Sequence, residues 1–187
     1  MNELVHSNKE TDKPTRRKAA AAGSAKAAPT RTNDPARTMA GILEVATKEF
    51  ADKGLSGARI DAIAEATHTS KRMIYYYYGS KEGLYLAVLE ESYRRMRQIE
   101  GDLHLDDLEP EAALRRLVEF TFDRHADNED FIRLVMNENI QQGTFLAQST
   151  SIQQLNVPAI ESIRRLYQRG VEQGVFREGL DPVDIHA

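Results

Sequence analysis

Residues 58–84 read ARIDAIAEATHTSKRMIYYYYGSKEGL. Ile60, Ile63 and Ala64 recur at helical spacing over about residues 59–67, and Ser70 is a good N-cap for a second helix over about residues 70–77, anchored inward by Ile74. His68-Thr69-Ser70 makes the turn between them. If Ile74 points inward, Lys71, Arg72 and Tyr75 project outward together, with Met73 and Tyr76 at the edges. This arrangement suits a helix that lies in the major groove of DNA, where each base pair shows its own donor and acceptor pattern. Lys71 and Arg72 supply charge-assisted donors for guanine edges or phosphates, and Met73 supplies an apolar contact for a thymine methyl. Tyr75, Tyr76 and Tyr77, with Ser70, Arg59 and Lys81, are better placed for phosphates, which position a protein without reading sequence. Four consecutive tyrosines span more than one helical turn, so at most about two face inward. Amphipathic aromatics can bury a ring and leave the hydroxyl wet, and Tyr78 is the one expected to be buried.

Upstream, Asp34 caps a helix with Pro35 in its first turn, and Ile42, Val45, Ala46 and Phe50 follow at helical spacing as far as Lys53-Gly54. Residues 1–34 offer little to bury and read as a disordered basic arm. Six cations between Lys13 and Arg31, with no acid among them, suit either an arm lying along phosphates or a solubilising tail. Downstream, Gly79 ends the tyrosine helix, and Ser80 caps a long one carrying Leu84, Val88, Glu91 and Arg95 along one line.

Past a break at residues 101–110, a helix over about residues 110–126 carries the stripe Leu114, Leu117, Val118, Thr121, Phe122 and His125. A further segment bears Phe131, Val135, Met136 and Ile140, ending near Gly143. Residues 144–155 read as ambiguous and helix-prone, and Asn156 is expected to cap a long helix through Ile160, Ile163, Tyr167 and Val171, closed by Gly170 or Gly174. Asp181-Pro182 announces another helix just before the printed sequence stops, so the natural chain is expected to continue through a last helix. No alternating strand pattern longer than about three residues occurs, which makes the expected fold all-α. The expected division is the arm, a three-helix helix-turn-helix domain at residues 35–80, and a larger helical domain at 81–187.

Charge divides the chain in the same place. As far as Lys81 there are 14 Lys+Arg against 9 Asp+Glu, and beyond it 11 against 20, so the overall −4 conceals a basic front and an acidic rear. A basic front suits a polyanionic partner. At 187 residues the chain is long enough to bury a core, and without Cys it has no disulfide framework, thiolate nucleophile or Cys-based zinc site. Its longest apolar runs, Met73–Tyr78 and Leu84–Leu89, are six residues each, far below the roughly 18 of a membrane span. The start MNELVHSNKE lacks a signal-peptide core, and a cytoplasmic location is expected.

The residues Ile42 through Phe50 and Gly54, Ile60-Asp61-Ala62-Ile63-Ala64, Ser70-Lys71, Ile74 through Tyr78, and Ser80-Lys81-Glu82-Gly83-Leu84 resemble the N-terminal domain of the tetracycline-repressor (TetR) family. The resemblance covers roughly residues 37–90. It implies that three small helices read an operator while a larger helical domain binds a small molecule and dimerises through its last two helices. It further implies that Tyr75 and Tyr77 contact phosphate, that Lys71, Arg72 and Met73 reach base edges, and that Lys81 anchors the start of the following helix. Two positions depart from the family pattern: His68 stands where Gly is usual in the turn, and Arg72 stands where a small residue is common.

The rear domain offers weaker signals. Phe122, His125, Met136, Asn139 and Phe145 form the expected wall of an effector pocket. Asp102 to Asp107 places three acids near His104, but the spacing matches no standard metal site, so no metal and no cofactor are expected. Arg94, Arg95, Arg97, Arg115 and Arg116 read as solvated faces and ion pairs. No nucleophile–base pair, phosphate-binding glycine loop or paired catalytic carboxylates emerge, so an enzyme is not expected. The expected function is a ligand-responsive, sequence-specific DNA-binding regulator, a repressor, acting as a homodimer on a pseudo-palindromic operator and released by an unknown small molecule. The alternative is a helical interaction module that docks a protein partner through its tyrosine-rich helix, which the basic front disfavours.

Overall fold

The computed structural model describes residues 34–186. The basic arm expected at the N-terminus lies outside these residues. Eight helices follow one another: α1 Pro35–Gly57, α2 Ile60–Ala66, α3 Lys71–Tyr78, α4 Lys81–Gly101, α5 Pro110–Asp127, α6 Glu129–Ile140, α7 Thr150–Glu172 and α8 Pro182–His186. Short 3-10 turns, Leu105–Asp107 and Leu146–Gln148, precede α5 and α7. No strand occurs among the described residues, and none of their helices is long and apolar enough to cross a membrane.

The front helices start where side chains satisfy orphan amides. Asp34 accepts from Ala36 and Arg37 N–H, Ser70 from Met73 N–H, and Ser80 from Gly83 N–H. Gly54 adopts φ 64°, which breaks regular geometry near the end of α1 and lets the chain turn toward α2. Ile42, Ala46 and Phe50 of α1, Ile63 of α2, Ile74 of α3 and Leu84 of α4 have no exposed surface and form the front core. At Gly83 a Cβ would stand 2.1 Å from the Tyr78 carbonyl oxygen, so only glycine lets the first turn of α4 approach the end of α3 this closely.

That core does not stop at residue 80. Phe50 meets Tyr85 of α4 edge-on at 5.1 Å, Tyr85 meets Phe145 at 5.2 Å, and Tyr93 meets Phe131 of α6 at 5.4 Å. One buried cluster thus runs from Ile42 to Ile152, through α1, α4, α6 and the first turn of α7. A second, smaller cluster joins Leu105, Ala113 and Leu117 to Ile163 and Leu166 of α7. Glu138 is fully buried in the first cluster, where its Oε2 accepts the N–H groups of Phe145 and Leu146 at 3.0 and 3.1 Å. Its Oε1 and the nearby Tyr85 hydroxyl stop short of hydrogen-bond geometry. Burial and then the Glu138 charge hold the Tyr85 phenol well above its ordinary range.

The rear helices depart from the sequence expectations in two places. Asn156 does not cap α7. Ser149 does, accepting Ile152 N–H at 3.0 Å while its own hydroxyl donates to Glu90 at 2.6 Å, and the helix runs on through Asn156 and Pro158. Residues 144–155 accordingly divide between the 3-10 turn and the first turns of α7. The apolar stripe of α5 is also rotated from its expected line: Ala113 and Leu117 face inward, while Val118 and Phe122 are 61% and 74% exposed. Ala113 carries no large side chain to announce itself, yet it is wholly buried in the cluster shared with α7.

Candidate nucleic-acid interface and rear cavity

The short helix α3 is held from one side and open on the other. Ile74 is wholly buried, whereas Lys71, Arg72, Tyr75 and Tyr76 are exposed, Tyr76 by 77%. Met73 and Tyr77 are half-buried at the edges. Tyr78 is half-buried, and its hydroxyl donates to the Met39 carbonyl at 3.0 Å, tying α3 back to α1. Burial, assisted by Tyr77, pushes this phenol up to about 12, so it remains a donor at any physiological pH. Tyr76, Tyr77 and Tyr78 meet edge-on at 5.4 and 6.4 Å, which stiffens the row.

The turn that sets the angle between α2 and α3 uses the left-handed region at His68, φ 52°. Thr69 N–H donates to the Ala64 carbonyl at 3.0 Å, and the Thr67 hydroxyl donates to Ile63 O at 2.7 Å. These bonds hold a histidine where glycine would sit without strain.

The remaining polar residues expected at the interface fall around this helix. Arg59 stands just before α2, its N–H donating to Glu49 at 3.0 Å and its guanidinium exposed. Ser70 spends its hydroxyl on the N-cap. Lys81 is half-buried, its ammonium donating to the Ser56 carbonyl at 3.3 Å, so it bridges the start of α4 to the end of α1. Two exposed cations converge on one acid. Lys71 Nζ lies 2.5 Å from Asp61 Oδ1, and Arg59 Nη2 lies 4.0 Å from Asp61 Oδ2. The Lys71 hydrogen bond holds the Asp61 carboxyl below its usual range, and the reciprocal contact holds Lys71 above its own. Arg72 has no ion-pair partner among the described residues. The sequence reading missed the part taken by Asp61, for which the available signal was an acid two positions after Arg59 on the helix packed beside α3.

Behind α1–α3, the C-terminal half of α4 faces α5, α7 and the Leu105–Asp107 turn across a cavity of about 860 Å³. Leu117, Leu155 and Ile163 supply apolar wall, and Arg94, Arg97 and Arg165 supply charge. Each arginine has an acid: Arg94 pairs with Glu91, Arg97 with Glu100, and Arg165 with Asp106 at 2.9 Å. Pro158, inside α7, also lines the space. The volume falls within the range of small-molecule sites.

None of the five residues expected to wall an effector pocket lines this cavity. Phe122, His125, Met136 and Asn139 are exposed, and Phe145 packs on Tyr85 instead. The reason is helical phase. α5 turns Ala113 and Leu117 inward, and α6 turns Phe131, Leu134 and Glu138 inward, which sends Phe122, His125, Met136 and Asn139 to the outer faces. Of the arginines read as solvated faces and ion pairs, Arg94, Arg95, Arg97 and Arg115 do form ion pairs, Arg94 and Arg97 on the wall of the cavity, and Arg116 forms none among the described residues. No cluster of three or more potential metal ligands occurs among the described residues. Asp106 is engaged by Arg165, and His104 Nδ1 lies 2.7 Å from the Asp102 carbonyl oxygen.

Residues 42–88 match the family model for bacterial regulatory proteins of the tetR family, and residues 110–187 match that for the tetracyclin repressor-like C-terminal domain. The HTH-type transcriptional repressor NicS of Pseudomonas putida is 38% identical over 144 residues, covering 77% of this chain and 68% of that protein. The HTH-type transcriptional repressor SCO4008 of Streptomyces coelicolor is 34% identical over 153 residues, covering 81% and 74%. Among solved structures, the putative transcriptional regulator SCO4942 of Streptomyces coelicolor is similar at 30% identity and a TM-score of 0.58, covering 79% of this chain and 72% of that one. The TetR family regulator PfmR of Thermus thermophilus is similar at 27% identity and a TM-score of 0.60, covering 78% of each chain.

Proposed function

This chain belongs to the tetR family of bacterial regulatory proteins, and on that footing we propose that it is a repressor that binds a pseudo-palindromic operator as a homodimer and leaves it when a small molecule occupies the rear cavity. The observation that carries the reading is the outer face of α3. A helix clamped from behind by Ile74 and Tyr78 presents Lys71, Arg72, Tyr75 and Tyr76 to solvent in one surface. Arg72, free of any acid among the described residues, is the principal base-reading side chain, and a bidentate contact with guanine suits its fork. Tyr75, Tyr76 and Tyr77, with Arg59, Ser70 and Lys81, brace the phosphates on either side, and Met73 offers its thioether at the groove edge. The names of the two relatives, both transcriptional repressors, support repression over activation.

The cavity supports the ligand half of the reading through α4. Its last turns carry Arg94, Arg97 and Glu100 into the cavity wall, while its first turns bury Leu84 and Tyr85 in the front core. An occupant that prefers one tilt of α4 therefore biases the position of α3, and operator release follows only from that difference in affinity. Residues 35–80 act as the reader and the helices beyond as the ligand-binding and pairing domain, with a shared core between them. The family is one of regulators, and catalysis forms no part of the proposal.

The test is selection of duplexes from a random pool, followed by titration of the selected duplex with wild type and with Arg72→Ala. We expect a selected half-site repeated about one helical turn apart and a loss of discrimination at one base pair in the variant. Equal affinity of the wild type for selected and scrambled duplexes would sink the proposal.

A further inference from the structure

Two of the cations on the α2–α3 surface are not simply offered to solvent. Asp61 lies in the first turn of α2, with Lys71 at 2.5 Å and Arg59 at 4.0 Å on its two carboxylate oxygens, and all three side chains are more than half exposed. An acid at that helix position suits the helix dipole, which would be reason enough for its presence. The dipole does not account for Lys71, which begins a different helix and is brought to the carboxylate by the left-handed turn at His68. A phosphate backbone repels an acid placed in its path, so a surface meant only for phosphates gains nothing from Asp61.

We propose that Asp61 is a positioning residue for DNA recognition: its carboxylate holds the Lys71 ammonium in one place at the edge of α3, withdrawing it from sequence-independent phosphate binding and reserving it for a base edge. An ammonium has three donors, so Lys71 can keep its contact with Asp61 and still reach an acceptor in the groove. A flexible four-carbon stem is thereby fixed before binding, and its ordering is not charged again to the specific complex. On an arbitrary duplex the same restraint keeps Lys71 from swinging to whichever phosphate is nearest. Arg72, beside it and without an acid, carries no such restraint. The inference rests on α3 being the reading helix.

Asp61→Asn tests it, because the position is exposed and asparagine keeps the shape while removing the charge. Affinity is measured by fluorescence anisotropy over a salt series for the selected duplex and for a scrambled one, with full-length protein. We expect scrambled-duplex affinity to rise about three- to ten-fold near 0.1 M salt, with a salt slope steeper by about 0.9, the signature of one more phosphate contacted. Affinity for the selected duplex should not rise, so the ratio between the two falls by the same factor. Combining Asp61→Asn with Lys71→Ala should abolish the gain, and Asp61→Glu should restore part of the wild-type ratio. An unchanged slope on scrambled duplex, equal gains on both duplexes, or a gain that survives Lys71→Ala would each overturn the role assigned to Asp61. A wild type with no preference among duplexes would instead remove the premise and the inference with it.

Discussion

The outer face of α3 and the wall of the rear cavity both carry arginines, and they treat them oppositely. On α3, Arg72 faces solvent with no ion-pair partner among the described residues. In the cavity Arg94, Arg97 and Arg165 are each matched to a carboxylate of the same chain. Charge left open is useful toward a polymer of phosphates, where it releases counterions and steers encounter. Charge closed by a partner keeps a ligand cavity from becoming a sink for any anion, and leaves shape and directed hydrogen bonds to choose the occupant. The teaching is that a count of cations says little about function until their partners are known.

The comparison can be broken or sharpened by substitution. The largest effect is expected from Ile74→Ala, which removes the buried anchor of α3 and should cost about 2–5 kcal/mol of unfolding free energy. Chemical denaturation measures it, and a loss below about 1 kcal/mol would mean that α3 is not clamped from behind as described. Arg72→Ala should weaken the selected duplex by about 1–3 kcal/mol while leaving stability unchanged, whereas Arg165→Ala should leave duplex binding unchanged. Reversal of that pair would erase the distinction between open and closed charge. Glu138→Ala strands the amides of Phe145 and Leu146 and should cost about 1–3 kcal/mol, seen first as faster hydrogen exchange at those two residues. Tyr75→Phe removes one hydroxyl and should lower duplex affinity by about 0.5–1.5 kcal/mol with no change in base preference.

The smallest effect concerns pH. Arg165 holds the Asp106 carboxyl below the usual aspartate range, so their pairing contributes stability above that range and loses it as the pH falls through the lowered one. Because both side chains are about half exposed, the contribution is about 0.2–1 kcal/mol and should shrink in high salt. Denaturation of wild type and Arg165→Ala at pH 7 and pH 3 reads the difference.

Much of the front was legible in the sequence because local signals and packing agree there. Asp34, Ser70 and Ser80 announce their helices and do cap them, and Ile74 is the inward residue that its spacing implies. The rear was legible in class and not in phase. Asn156 and Pro158 look like a helix start because asparagine and proline favour that position, but Ser149 outcompetes them by satisfying Ile152 N–H and Glu90 together. On α5, apolar residues occur on more than one face, so periodicity alone could not say that Ala113 faces inward and Phe122 outward. The cavity escaped notice for a related reason. Its wall draws charged side chains from α4, the 105–107 turn and α7, and the pair that ties two of these elements together, Arg165 with Asp106, joins residues 59 apart in sequence, which no local pattern announces.

The close approach at Gly83 has a mechanical meaning. With the first turn of α4 set against the last carbonyl of α3, there is no room for a joint between α3 and the long helix behind it. The two should move as one bent rod. The 21 residues of α4 span roughly 30 Å, so a tilt of about 5° at the cavity end displaces the other end by roughly 2–3 Å. If two copies pair and read DNA through α3 as proposed, a shift of that size, doubled across the pair, puts the two helices out of step with successive major grooves while each keeps its own shape.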